Sequence, residues 1–142
     1  MLRDAVFSKT NLPLINKSLD ASMLRSRIIA NNIANVTTPG YRRVEVKFED
    51  ELRKALDVSS LKGMRTNDNH LKAGRSNIRD VNAIAYKPND PTLPSGVNNV
   101  DIDMEMAKLA ETQIMFNFAA RFSQGTYRKI NASIQGRSIP LQ

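Results

Sequence analysis

Apolar residues recur in alternating steps of three and four over residues 11–36. The series runs Leu12, Ile15, Leu19, Ser22, Ser26, Ile29, Ile33 and Val36, and its two exceptions are small. Such a stripe predicts a helix with a coiled-coil-like seam. Leu24 and Ile28 widen it on one flank. Pro13 suits a first helical turn. The helix must stop near Val36-Thr37-Thr38, because Pro39 disfavours the helical region for Thr38 and donates nothing to the ladder. Pro39-Gly40 fits the centre of a type II turn.

The period then changes. Val44, Val46 and Phe48 alternate with charged residues, which predicts a short strand. Phe48, Leu52 and Leu56 step by four, so a short amphipathic helix is expected over about 48–57. Residues 57–100 are rich in Asn, Pro, Gly and Ser, with Pro88, Pro91 and Pro94 at three-residue spacing. They read as loops with partial disorder and a hairpin of short strands.

A second long helix is expected over 101–134. Its seam runs Ile102, Met106, Leu109, Gln113, Phe116, Ala120, Ser123, Tyr127, Ile130 and Ile134. Met115, Phe118, Ala119 and Phe122 form a further apolar flank. Asp101 or Asp103 can cap the start, and Asp103 and Glu105 suit the positive end of the helix dipole. Gly136 suits the C-terminal cap. The fold class is therefore mainly α. Two long terminal helices form a coiled-coil-like pair around a short β- and loop-rich middle. Three segments follow: 1–36, 37–100 and 101–142. Residues 1–10 show no clear period and read as frayed.

A lone helical hairpin of this length must bury a face on each helix to offset its ordering entropy. One seam per helix leaves Met115, Phe118 and Phe122 uncovered. Pattern alone admits two outcomes: burial against other subunits, or against the middle segment of the same chain.

Composition narrows the chemistry. The chain has no Cys, which excludes disulfides, thiol nucleophiles and thiolate metal sites. The single His, His70, falls in the loop-rich part and reads as an exposed loop residue rather than a metal ligand. No nucleophile–base set, phosphate-binding glycine loop or metal cluster is legible, so no enzyme, cofactor or metal is expected. Asp101, Asp103 and Glu105 lack an EF-hand pattern, and helix capping explains them better. The formal charge of +7 raises nucleic acid as a partner. The basic residues are scattered among acids, so solvated faces account for most of them. A basic helical nucleic-acid binder stays as the competing class. No run approaches the roughly 20 apolar residues of a membrane span, and no signal-peptide pattern opens the chain. Composition alone suggests a cytosolic protein without membrane insertion.

The stretch from Ile29 to Tyr41 reads I-A-N-N-I-A-N-V-T-T-P-G-Y. It closely resembles the signature of flagellar rod and hook proteins. Asn99-Val100-Asp101-Ile102-Asp103-Met104-Glu105-Met106 is similar to the segment that opens the C-terminal helix in rod proteins. The short chain and the Arg42-Arg43 continuation look most like a proximal rod protein of the FlgB type, with the FlgC type of similar length as the other choice.

The resemblance implies a structural subunit of the bacterial flagellar basal body. It implies an inner tube of terminal helices around an export channel, which transmits torque and joins the membrane ring to the distal rod. Implied partners are further copies, FlgC- and FlgF-like rod proteins and a FliE-like adaptor, with the type III export apparatus during secretion. The implied place is the periplasmic rod, reached without a cleaved signal peptide, and this overrules the composition. Expected subunit-interface residues are Ile29, Asn31, Asn32, Ile33, Asn35, Pro39, Gly40 and Tyr41 in the first half. In the second half they are Met106, Leu109, Phe116, Phe118, Phe122 and Ile130. Buried Asn in a helical seam sets register through specific hydrogen bonds.

Overall fold

The computed structural model describes residues 10–56, 78–92 and 96–137. Helix α1 spans Leu12–Ala34, strand β1 Glu45–Lys47 and helix α2 Glu49–Leu56. A 3-10 turn at Ile78–Asp80, strand β2 at Ile84–Tyr86 and helix α3 at Ile102–Ile134 follow. The architecture is mainly α, with long helices near both ends and short strands and loops between. The expectations for residues 1–9, for the stretch 57–77 with His70, and for Pro94 lie outside the described residues.

The helix ends follow local chemistry. Pro13 stands in the first turn of α1. At its C-terminal end the Asn35 N–H turns back to Asn32 O at 3.1 Å, and Val36 N–H to Ile33 O at 3.2 Å. These tighter bonds satisfy carbonyls that a regular helix would leave open. Gly40 has φ +71° and Tyr41 N–H donates to Thr38 O at 3.3 Å, as the predicted Pro-Gly turn requires. Asp101 is the N-cap of α3 and accepts from the Asp103 and Met104 N–H groups. Arg137 N–H reaches Ala132 O at 2.9 Å and Gly136 N–H reaches Ser133 O at 3.4 Å, with φ +64° at Gly136. That pair of bonds is a Schellman closure.

Helices α1 and α3 pack antiparallel. Asn32, near the end of α1, meets Glu105 near the start of α3. Asn16 and Leu19 share a groove with Phe116, Ala120 and Ser123. The α1 seam is the predicted one: Leu12, Ser22 and Ile29 are buried, and Ile15, Leu19, Ser26 and Ile33 are half-buried. The α3 seam differs in its first half. Glu105 and Thr112 are buried there, while Ile102, Met106 and Gln113 face outward. From Phe116 to Ser123 it returns to the expected positions. The physical reason lies in the partner surface. Opposite Glu105, α1 presents the polar side chain of Asn32, which selects a carboxylate over a thioether. The buried hydroxyls of Ser22 and Thr112 are satisfied within their own helices, by Ser18 O at 2.8 Å and Lys108 O at 2.7 Å.

The middle segment packs on α1. Ala21, Phe48, Ala55 and Val81 form the apolar cluster, with Leu52 and Ala83 against it. Acidic Glu49, Asp50 and Glu51 open α2 and basic Arg53 and Lys54 close it, each at the favourable end of the dipole. β2 pairs antiparallel with β1, in the register Glu45 to Tyr86, Val46 to Ala85 and Lys47 to Ile84. Of the hairpin expected inside 57–100, the described residues include the strand Ile84–Tyr86, whose partner here, Glu45–Lys47, lies outside that region. Alternation in a three-residue strand is too short to name a partner.

Candidate functional site: a buried polar junction and an uncovered helix face

The motif residues converge where α1 ends and α3 begins. Asn32 uses its whole amide. Its Nδ2 donates to Val44 O at 2.8 Å and to Glu105 Oε2 at 2.9 Å. Its Oδ1 accepts from Val44 N–H and from the Tyr41 hydroxyl, each at 3.0 Å. One side chain therefore joins α1, the residues after the Pro-Gly turn, and α3. A satisfied buried amide of this kind specifies one arrangement, since any slip leaves donors and acceptors unpaired.

Asn98 does the same for the end of α1. Its Nδ2 donates to the Asn35, Val36 and Thr38 carbonyls at 2.9 to 3.0 Å, and its Oδ1 accepts from Val100 N–H. The neighbouring Asn99 Oδ1 accepts from Arg43 N–H at 2.8 Å. Val100, between these amides and the Asp101 cap, is fully buried. The segment before α3 is therefore clamped onto the segment after α1.

An ion-pair cluster lies beside the junction. Lys108 Nζ stands 3.0 Å from Glu45 Oε1 and 3.8 Å from Glu105 Oε1. Arg43 reaches Glu45 and Asp90, and the Tyr86 hydroxyl donates to Glu45 Oε2 at 2.7 Å. Burial alone would raise the Glu45 carboxyl, but the hydrogen bonds from Tyr86 and Lys108 and the charges of Lys108 and Arg43 hold it below its ordinary value. Burial first, and then the Glu105 charge, raise the Tyr41 phenol. The hydrogen bond to Glu45 chiefly raises that of Tyr86. These groups are paired in ways that hold structure together.

The expected interface residues divide into two sets. Ile29 and Asn32 are buried, and Ile33, Asn35 and Tyr41 are half-buried, all within the chain's own packing. Asn31, Pro39 and Gly40 are exposed. On α3, Leu109, Phe116 and Ile130 are half-buried, whereas Met106, Phe118 and Phe122 face outward. Phe118 is 57% and Phe122 67% exposed. No helix among the described residues is long and apolar enough to cross a membrane.

Two contributors were not legible. The pattern assigns Glu105 only to the positive end of the helix dipole; in the fold it is also buried against Asn32. Asn98 belongs to no periodic pattern in the sequence. The only local signal was two adjacent Asn residues just ahead of a helix cap, which commonly bond to nearby backbone.

A family model described as flagella basal body rod protein matches residues 24–42, the end of α1 and the Pro-Gly turn. The chain is similar to the flagellar basal body rod protein FlgB of Borreliella burgdorferi. The two are 33% identical over 121 residues, covering 82% of this chain and 89% of the relative. FlgB of Borrelia hermsii is 32% identical over 88% of this chain and 96% of its own length. FlgB of Bacillus subtilis is 29% identical over 93% and 98%. The matched length spans both terminal helices and the polar junction between them, and on that ground the chain belongs to the FlgB family of flagellar basal body rod proteins.

Proposed function

We propose that this protein is a non-enzymatic building block of the proximal rod, which assembles with further copies and other rod proteins into a helical tube. The tube joins the membrane ring to the distal rod and transmits torque. One observation carries this reading: the outer face of α3 keeps Met115, Phe118 and Phe122 more than half exposed in a chain whose relatives are rod proteins. Apolar rows of this kind on a soluble helix call for a covering partner. Segments 1–36 and 101–142 supply the tube, and the described residues between them brace α1 through Phe48, Ala55 and Val81.

The polar junction supports the mechanical part. Torque along a tube loads the contact between the two helices of each subunit. A buried, fully hydrogen-bonded amide resists sliding better than an apolar seam, which can reform one turn further on. Asn31, Pro39 and Gly40 remain on the surface, available to neighbours. The chain enters the rod by type III export without cleavage, and it ends in the periplasmic part of the basal body.

The test is complementation. The gene is placed in a flagellated bacterium lacking its own FlgB, and basal bodies are purified. The expected result is swimming cells, with the chain in the rod fraction at its uncleaved mass. Swimming without the chain in purified rods, or export without incorporation, would overturn the reading.

A further inference from the structure

The two halves of α3 carry opposite charge. At 1.5 Å per residue its 33 residues span about 50 Å. Residues 117–137 contain Arg121, Arg128, Lys129 and Arg137 and no acid. Near the other end, a groove of about 420 Å³ opens between α1, β1 and α3. Four carboxylates line it, Glu45, Glu49, Glu105 and Glu111, against the two cations Arg25 and Lys108. This is an excess of two negative charges in a chain of net charge +7. Ile28, Val46 and Met115 give the groove an apolar lining, and its volume suits a few large side chains.

The second half of α3 presents the matching relief. Steps of four and seven place Phe118, Phe122 and Lys129 on one face of α3, with Arg121 and Arg128 alongside. All five are exposed. A row of two aromatics flanked by three cations complements an apolar slot with an acidic rim.

We propose that the acidic groove of one copy receives the basic aromatic row of α3 from a second copy. The inference rests on the rod reading and deepens it, since it names the contact. The donor and acceptor surfaces are unlike and occupy successive stretches of α3, the groove reaching Met115 and the row running from Phe118 to Lys129. Such a contact is heterologous, repeats head to tail and produces an open array rather than a closed pair. The occupant is a second copy because the same chain carries both complementary surfaces. The groove's excess negative charge also disfavours the acidic first half of α3 as its occupant.

The purified chain tests this without reference to the rod. It has no native Cys, so introduced thiols report unambiguously. Met115→Cys marks the groove and Phe122→Cys the row, both at exposed positions that spare the fold. Seven residues apart on one helix, the two thiols stand roughly 10 Å apart and cannot bridge within a chain. On oxidation a chain carrying both is expected to give a ladder of dimers, trimers and longer species. A symmetric pair would stop at the dimer, and that result overturns the proposal, as does the absence of any cross-link. Glu111→Lys in the groove is expected to lower the yield about tenfold, and Lys129→Glu on the row-bearing partner to restore it. A yield indifferent to both charges overturns the proposal. Failure here leaves incorporation into basal bodies untouched, so the two readings fall separately.

Discussion

Asn32 Nδ2 donates to Glu105 Oε2 at 2.9 Å, and each of the two residues is only 1% exposed. A buried carboxylate is costly unless its lone pairs are met. Here Asn32 meets one oxygen, and Lys108 lies 3.8 Å from the other. The pair also fixes which residue of α3 faces the end of α1. The signature Asn and the acid at the head of the second helix thus act as one unit, although 73 residues separate them.

Asn32→Ala removes four hydrogen bonds and strands the Glu105 carboxylate. The expected loss of stability is about 2–4 kcal/mol, at the upper end for a single polar deletion because an acid is left buried. Glu105→Gln keeps an acceptor for Asn32 and is expected to cost less than Glu105→Ala. Urea unfolding followed by circular dichroism ranks the three variants. Equal losses for Gln and Ala at position 105 would mean that the hydrogen bond does not hold the junction.

Asn98→Ala uncaps the end of α1. Three carbonyls lose their donor, with an expected cost of about 1–2 kcal/mol. Amide exchange at residues 35–38 should accelerate while the middle of α3 stays protected. Uniform acceleration along both helices would place the effect elsewhere.

Stability should depend on pH at both extremes. Glu45 titrates below its ordinary value of 4.5 in the folded chain. Its contribution is therefore present above that value and lost as pH falls through the lower folded value. Tyr41 and Tyr86 are raised above 10.0, so their contribution is present below 10.0 and lost as pH rises through the higher folded values. Glu45→Gln should flatten the acid limb of stability against pH and leave most of the alkaline limb, which Tyr41 supports independently.

Phe116 and Phe122 should behave differently. Phe116 is half-buried and shares the groove of Leu19 and Ala120, so Phe116→Asp is expected to destabilise the monomer by about 2–3 kcal/mol. Phe122 is exposed, so Phe122→Asp should change monomer stability by no more than about 0.5 kcal/mol while blocking incorporation into rods. Export into the medium should persist for Phe122→Asp. Normal rods containing it would remove the argument for that face.

Gly40→Ala meets no atom within 4 Å at its new Cβ, so its cost comes only from φ +71°. About 1 kcal/mol is expected. The double change Pro39→Ala with Gly40→Ala should loosen the exit of the chain from α1 and impair rod assembly. Intact assembly with both changes would show that the turn makes no contact with neighbours.

What the amino-acid sequence determined by itself is the set of elements whose causes are local. The steps of three and four wrote α1 and α3. Pro39-Gly40 stopped the first helix, Asp101 started the last, and Gly136 closed it. The uncovered flank at Phe118 and Phe122 was legible too, because it is a surplus of apolar positions on one helix. Tertiary structure decided what depends on a partner distant in the chain. Whether Glu105 or Met106 faces inward turns on Asn32 arriving opposite it. The partner of β2, the clamp made by Asn98 and the charge of the groove beside Glu111 are likewise products of segments brought together. A carboxylate is polar in any local reading, and only a donor supplied from elsewhere in the fold makes its burial favourable.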